Sequence, residues 1–285
     1  MSTLLPYPSG KSAIRSDITR ALSIATNHDR LPYREPFLGG GVMTLHTLNF
    51  ERANSIWVND MDTPLVCFWQ AVIEYPDLLL ARVESFVPSV EAWHVAKRLC
   101  RKQDGIPSTP DRIAELGFQK LIVQRLSHGG RGVPSGSVRG GNHQDCPVYK
   151  DGKRLRKNRI DSRWSPRQIR HDVLRYHQQF MRLDELRCTN LDFELVIEDD
   201  SERCVLFLDP PYWEEGPGTY QHSFTHSDHE RLATLLKKTK HSWVLTYGNH
   251  EEIRRLYDFA KIETVHVESG LTKKYRTDLI ISSIR

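Results

Sequence analysis

The sequence lacks any arrangement of cysteines that would bind zinc or form a disulfide framework. Its five cysteines are odd in number and widely spaced, and no two of them form a C-x-x-C pair. We therefore expect reduced thiols, no metal site and a cytoplasmic location.

Long apolar runs are also absent. The most apolar stretch, residues 65–73, is too short to span a membrane and is better explained as a buried helix. The first residues contain no apolar core of a signal peptide, so we expect neither secretion nor a membrane partner. A content of 39% hydrophobic and 27% charged residues excludes wholesale disorder.

Acidic residues are scarce in one segment of the chain. The net charge is +4, yet residues 129–182 contain 13 Lys or Arg and four acidic residues. Such a segment suits contact with a phosphate backbone, although a solvated loop accounts for the charge equally well. The candidate phosphate contacts in and beside this segment are Arg125, Arg131, Arg139, Lys153, Arg154, Arg156, Lys157 and Arg159.

Strand-like and helix-like patterns alternate towards both ends of the sequence. A glycine turn at 39–41 leads into a helical pattern over 42–48, and an earlier helical pattern covers 11–25. The alternation predicts an α/β fold with a Rossmann-like sheet, mostly parallel with an antiparallel last strand. The predicted strands cover residues 56–58, 205–208, 243–247, 264–268 and 278–284.

The middle of the sequence interrupts this alternation, so we expect it to be an insertion. Helical patterns near 90–100 and 111–126 are followed by an irregular Gly-, Ser- and Arg-rich stretch over 128–161. Ser165-Pro166 then predicts the start of a further helix. The resulting domains are residues 1–87 with 184–285, which form the sheet, and the mainly helical residues 88–183. Near the C-terminus, Ser227 and Glu230 predict a helix N-cap with a capping box.

The strongest chemical signal is Asp209-Pro210-Pro211-Tyr212, which directly follows a predicted strand. Open α/β sheets bind ligands at the carboxyl ends of their strands. An exocyclic amino nitrogen is a poor nucleophile because its lone pair is delocalised into the ring. The Asp209 carboxylate and the Pro210 carbonyl would accept hydrogen bonds from its two N–H groups and free that lone pair. The prolines would keep the loop stiff. Tyr212 offers a stacking face for an extruded base, and the simpler alternative is a turn with a buried tyrosine.

With this motif and its flanks, the sequence resembles the Dam-like family of DNA adenine methyltransferases. Phe37-Leu38-Gly39-Gly40-Gly41 is similar to the family's F-x-G-x-G loop, which binds S-adenosylmethionine (SAM). Asp60 follows Gly39 by 21 positions, close to the spacing at which an acidic residue meets ribose hydroxyls in dinucleotide folds. The resemblance assigns the SAM ribose to Asp60.

Three further segments carry the resemblance. Tyr7-Pro8-Ser9-Gly10-Lys11 resembles the aromatic-x-G-G-K segment next to SAM, with Ser9 in place of a glycine. Asp192-Phe193 is similar to a pair that contacts the SAM adenine. Phe224 corresponds to the second stacking face for the flipped base, although a core phenylalanine is a fair alternative. The implied SAM-binding residues are Tyr7, Gly10, Lys11, Phe37, Gly39, Gly41, Asp60, Asp192 and Phe193.

The resemblance implies a site-specific enzyme that transfers a methyl group from SAM to the amino group of an adenine flipped out of double-stranded DNA. It implies that residues 1–87 and 184–285 form the SAM-binding catalytic domain and that 88–183 form a target-recognition domain. Residues 124–132 differ from the corresponding family stretch, so the GATC target is not transferred to this chain.

Several alternatives stay open on the sequence alone. Transfer to the amino group of cytosine uses the same nitrogen chemistry. A DNA-binding protein built on a catalytically retired methyltransferase fold is the alternative from another class. The sequence leaves open a cognate restriction enzyme as partner, the recognised DNA site and the oligomeric state.

Overall fold

The chain forms two compact units. One unit, here called the sheet unit, comprises Gly10–Met61, Arg182–Pro217 and His222–Arg285, and the other, the helical unit, comprises Met1–Ser9, Asp62–Met181 and Gly218–Gln221. The computed structural model describes residues 4–7, 11–50, 52–102, 105–130, 132–133, 136–139, 149–150, 153–154, 160–213, 224–268 and 275–283.

The regular elements alternate as the sequence predicts at both ends of the chain. The strands are β1 Tyr33–Glu35, β2 Ser55–Asn59, β3 Tyr149–Lys150, β4 Lys153–Arg154, β5 Glu185–Thr189, β6 Val205–Leu208, β7 Ser242–Gly248, β8 Lys261–Glu268 and β9 Tyr275–Ser282. The α-helices are α1 Arg15–Ala25, α2 Val42–Asn49, α3 Thr63–Glu74, α4 Pro76–Ser85, α5 Val90–Arg101, α6 Pro110–Leu126, α7 Pro166–Phe180, α8 Phe193–Ile197, α9 His226–Lys238 and α10 Glu251–Leu256.

Seven strands of the sheet unit form one sheet in the order β5-β2-β1-β6-β7-β9-β8. The pairs among β5, β2, β1, β6 and β7 are parallel, whereas β9 is antiparallel to both β7 and β8. The last strand of the chain is therefore the one that runs against its neighbours. This arrangement confirms the predicted Rossmann-like sheet, mostly parallel with an antiparallel last strand.

The strand order reverses at the pair β1 and β6. From β1 the chain continues outwards to β2 and β5, and from β6 it continues outwards to β7 on the opposite side. The loops that follow β1 and β6 diverge at such a point and leave a crevice at the carboxyl edge of the sheet. The fold therefore locates the candidate site between Glu35 and Asp209.

The core of the sheet unit follows from its apolar strands. All four residues of β6 are buried, and so are six of the seven residues of β7. Side chains from α9 and from β9 pack on them in one cluster that also contains Tyr212. The motif tyrosine is therefore built into the core at the end of β6.

The helical unit is organised around α3 and α6. Ten of the twelve residues of α3 are buried, as expected for the most apolar stretch of the sequence. Gly117 on α6 allows a close approach, because a Cβ atom there would lie 2.7 Å from the backbone of α3 at Cys67 and Phe68. Lys120, also on α6, pairs with Asp62 at 2.5 Å, and both side chains are almost fully buried.

The contacts divide the chain at a different place from the expected domain boundary. Residues 62–87, which we expected in the catalytic domain, belong to the same compact unit as the inserted helices. The reason is that α3 and α4 both pack on α6. The assignment of this unit to target recognition remains a proposal.

Two local predictions are wrong. The predicted capping box at Ser227 and Glu230 lies earlier, because Thr225 is the N-cap of α9 and exchanges hydrogen bonds with Asp228. The stretch 128–161, expected to be irregular, contains the short antiparallel pair β3 and β4. The intervening sequence Asp151-Gly152 is typical of a two-residue hairpin turn.

Within the described ranges, the fold contains no helix whose length and apolar character would allow it to cross a membrane.

Candidate active site at the carboxyl edge of the sheet

The glycine loop after β1 begins the site. Gly39 and Gly41 have φ angles of 49° and 65°, a conformation that side chains rarely adopt. The Gly39 amide donates to Oδ2 of Asp60 at 2.9 Å, and the Leu38 amide donates to the Asn59 carbonyl at 2.9 Å. Asp60 therefore holds the loop in place, and its predicted contact with a ribose remains untested.

Asp209 lies at the end of β6 and is held on one oxygen. The Lys11 ammonium lies 2.7 Å from its Oδ1, and the Thr246 hydroxyl donates to the same atom at 2.7 Å. Among the described residues, none donates to Oδ2. The Lys11 side chain is 3% exposed and that of Asp209 is 23% exposed, so the ammonium is buried and the carboxylate is partly accessible. The structure therefore fixes the carboxylate and leaves one of its oxygens for a ligand.

Tyr212 is buried beside this ion pair. The Lys11 ammonium lies 4.8 Å from the centre of the Tyr212 ring, and the Tyr247 ring centre lies 5.7 Å away. A Cβ atom at Gly248 would lie 3.2 Å from the Tyr212 ring, so glycine leaves room for the tyrosine. Lys11 was predicted from the sequence to be a functional residue, but as a contact of SAM and not as the ion-pair partner of Asp209.

Three phenylalanine side chains meet at the same edge. The rings of Phe37, Phe193 and Phe224 lie 5.4–5.5 Å from one another, centre to centre. Phe224 was expected opposite Tyr212, but in the structure it packs with the two residues expected to contact the SAM adenine. No ring contact joins Phe224 to Tyr212 in the described part of the chain, so its role in base stacking stays a prediction.

Asp192 is the N-cap of α8 and also carries an ion pair. Its side chain accepts from the Glu194 amide at 2.9 Å, and Arg231 lies 3.0 Å from its Oδ2. The Arg231 guanidinium lies 4.3 Å from the centre of the Phe193 ring. The sequence analysis missed Arg231. The signal that would have indicated it is the i,i+3 spacing to Asp228, with which it also pairs on α9.

A buried carboxyl group at the end of β1 was also missed. Glu35 accepts hydrogen bonds from the Tyr33 hydroxyl at 2.7 Å and from the Thr44 hydroxyl. Burial raises the pKa of Glu35 to about 8 against these hydrogen bonds, and the charge of Asp209 adds to the rise. Glu35 is therefore mostly protonated at neutral pH.

His229 packs next to the phenylalanine side chains, against Phe224. Its Nδ1 lies 2.8 Å from the Tyr247 hydroxyl, and its ring packs against Trp213 and Phe224. Burial lowers the pKa of His229 to about 4. The ring is therefore neutral at neutral pH and is buried in the first turn of α9.

Other predicted residues belong to the helical unit or lie outside the described residues. Tyr7 belongs to the helical unit. Arg125, expected to contact DNA, is buried and donates to the carbonyl oxygens of Leu4 and Arg163 at 2.7 and 3.1 Å. The side chains of Lys153 and Arg154 are not described, and the residues outside the described ranges are Gly10, Arg131, Arg156, Lys157 and Arg159.

No curated protein sequence matches the chain. A family model matches residues 7–99 and 158–271, more than half of the chain, and its description specifies N6 of adenine rather than the amino group of cytosine. The matched ranges contain the glycine loop, the Asp209 motif and the phenylalanine cluster. The chain thus belongs to the D12 class N6 adenine-specific DNA methyltransferase family.

Proposed function

We propose that the protein methylates N6 of an adenine that is flipped out of double-stranded DNA, with SAM as the methyl donor. Membership of an N6 adenine-specific family gives the reaction class. The observation that carries the finer proposal is the fixed Asp209 carboxylate at the point where the strand order reverses.

The residues at this edge fit SAM. The left-handed Gly39 and Gly41 bring backbone within reach of a ligand. Phe37 and Phe193 form an apolar aromatic surface suited to a purine, and Asp60 lies next to the glycine loop. SAM, when bound, supplies an electrophilic methyl group. Gly39, Gly41, Phe37, Phe193 and Asp60 would hold it.

Asp209 is the residue that activates the amino group. Lys11 and Thr246 hold its Oδ1. Its Oδ2 therefore accepts a hydrogen bond from an N–H group of the exocyclic nitrogen, and the carboxylate does not have to reorient. The Pro210 carbonyl accepts the second N–H bond. The nitrogen needs no base before it reacts, because its proton can leave to water after the new N–C bond has replaced the bond between the methyl carbon and the sulfur of SAM.

The side chains around Asp209 are buried and closely packed, so the hydrogen-bond acceptors of the site are fixed in position. Tyr212 and Lys11 are almost fully buried, and Gly248 packs against the Tyr212 ring. The acceptors are therefore in place before the base arrives, and little free energy is needed to orient them.

Substitution of Asp209 tests this proposal. We expect Asp209→Asn and Asp209→Ala to reduce the transfer of labelled methyl groups from SAM into DNA by at least about 100-fold, the loss typical of a removed stabilising contact in an active site. Nucleoside analysis of the product should identify N6-methyladenine in the wild type, and calorimetry should show that both variants still bind SAM.

Two results would contradict the proposal. Unchanged methyl transfer by Asp209→Ala would remove Asp209 from the mechanism. Failure of the wild type to bind SAM would favour a retired methyltransferase fold that binds DNA without catalysis.

We further propose that the helical unit recognises the target. The support is the position of its main segment, Asp62–Met181, between the first two segments of the sheet unit along the chain, and the 13 Lys or Arg of residues 129–182. A phosphate backbone attracts such a segment regardless of sequence, so base recognition must come from side chains that the charge pattern does not identify.

A further inference from the structure

A second ion pair lies beside Tyr212, on β9. Arg276 Nη2 lies 2.7 Å from Asp278 Oδ2, and the Arg276 guanidinium lies 5.8 Å from the centre of the Tyr212 ring. The two side chains differ in exposure, because that of Asp278 is fully buried whereas that of Arg276 is 45% exposed. The mechanism described above uses neither residue.

Asp278 is a rigid anchor for this pair. It lies opposite Gly248 in the antiparallel ladder of β9 and β7, next to the residue on which Tyr212 packs. A fully buried carboxylate is costly unless a cation or hydrogen bonds compensate it. Its Oδ1 has no hydrogen-bond partner within the described residues, so Arg276 is the group that compensates the charge.

The anchored guanidinium still has donors to offer. It presents several N–H groups in a planar fork, and the contact with Asp278 uses one nitrogen. In the described ranges, no other acceptor binds it. Lys11 also lies over the Tyr212 ring, but it is 3% exposed and paired with Asp209. Among the described residues, Arg276 is therefore the cation beside Tyr212 that an incoming anion can reach.

We infer that Arg276 forms a subsite for a backbone phosphate next to the flipped adenine, and this inference rests on the proposed function. An extruded base that enters beside Tyr212 carries its flanking phosphates to the mouth of the site. The planar fork of arginine matches two phosphate oxygens, and a guanidinium held by a buried carboxylate makes that contact without losing side-chain freedom. Arg276 thus positions the nucleotide, whereas Asp209 acts on the amino group.

The test combines a protein variant with a neutral phosphate. Methylation-sensitive sequencing of DNA from expressing cells first identifies the target site. Duplexes with this site are then made with and without a methylphosphonate in place of each phosphate that flanks the target adenine. Binding of these duplexes to the wild type, Arg276→Gln and Arg276→Lys is measured over a range of salt concentrations.

We expect Arg276→Gln to weaken binding about tenfold and to reduce the salt dependence by about one phosphate contact. Methylphosphonate at one flanking position should weaken the wild type similarly but cause no further loss in Arg276→Gln. Arg276→Lys should keep the salt slope and lose part of the affinity, because an ammonium makes no forked contact. KM for DNA should rise more than kcat falls, and SAM affinity should stay unchanged.

The matched control is Arg255→Gln. Arg255 is exposed, lies in the same unit and also pairs with a carboxylate, Glu252. It should change neither the salt slope nor the response to methylphosphonate. If the Arg276→Gln protein fails to fold because Asp278 is left unpaired, the double variant Arg276→Gln/Asp278→Asn replaces it in the same measurements.

The outcomes separate the subsite from the proposed function. Additive losses from the variant and the methylphosphonate, or an unchanged salt slope, would overturn the subsite. So would a loss confined to kcat, which would indicate a contact with the base. If the wild type itself transfers no methyl group to DNA, the proposed function fails.

Discussion

One buried ionisable group in the helical unit and one in the sheet unit differ in how their charge is compensated. In the helical unit, Lys120 is 1% exposed and pairs with Asp62 at 2.5 Å. In the sheet unit, Glu35 is 2% exposed and receives hydrogen bonds from two hydroxyl groups, with no cation paired to it among the described residues. One charge is compensated, and the other is removed by a raised pKa.

The two buried groups have different consequences for the units that contain them. Asp62 is also the N-cap of α3, so its pair with Lys120 connects the start of one helix to the middle of another. The pair therefore orders the packing of the unit. A neutral Glu35, in contrast, adds no negative charge near the carboxylate of Asp209. The sheet unit thus avoids two negative charges where the amino group is expected to bind.

The largest effect should come from breaking the buried pair of the helical unit. We expect Lys120→Met to lower the free energy of unfolding by about 3–5 kcal/mol, because the buried Asp62 carboxylate would lose the ammonium that lies 2.5 Å from it. Chemical denaturation measures the change. Arg112→Ala, an exposed position on the same helix, should change stability by less than about 0.5 kcal/mol. Equal effects of the two variants would show that the pair does not hold the unit together.

The second prediction concerns the pH dependence caused by Glu35. Its folded pKa, about 8, lies above the unfolded value of 4.5, so its contribution to stability is complete below pH 4.5 and is lost as the pH rises through 8. Glu35→Gln keeps the acceptor for Tyr33 and Thr44 but removes this proton equilibrium. The free energy of unfolding of the variant should therefore fall less between pH 5 and pH 8.

The control for that measurement is Glu230→Gln on α9, an exposed glutamate of the same unit. It should leave the pH dependence as in the wild type. Parallel curves for the wild type and Glu35→Gln would mean that Glu35 is ionised in the fold at neutral pH and that the contrast between the units does not hold.

The smallest effect distinguishes two kinds of arginine near the insertion. Neutralising Arg154, Arg156, Lys157 and Arg159 should weaken DNA binding by a few-fold or more at moderate salt and should flatten its salt dependence. Arg125→Gln should instead lower stability and leave the salt slope unchanged, because Arg125 is buried and donates to two carbonyl groups. A weaker salt dependence of DNA binding in Arg125→Gln would show instead that Arg125 contacts DNA.

The sequence predicted the sheet unit better than the helical unit for a physical reason. Parallel strands such as β6 and β7 are apolar throughout and end where ligands bind, so Asp209 was recognisable from its neighbours along the chain. Charge is a weaker guide, because a buried arginine and a phosphate-binding arginine look alike in a sequence. Arg125 shows this, since its carbonyl partners lie far from it along the chain.

The same limit applies within the active site. The glycine loop, Asp60 and the aromatic residues were each predicted from local motifs. The contacts of Asp209 with Lys11 and Thr246, and the packing of Tyr212 on Gly248, join residues from separate segments of the chain. Such contacts depend on strand order and register, which no local pattern specifies.

The contact between Lys11 and Asp209 has a consequence for the synthesis of the protein. Its two residues are 198 positions apart, and the hydroxyl group that completes the contact lies on β7, later still in the chain. β7 in turn pairs with β9, which follows it in the chain. Most of these residues must therefore be synthesised before Lys11, Asp209 and Thr246 can come together, so a product that ended before β7 would lack the contacts that hold the Asp209 carboxylate.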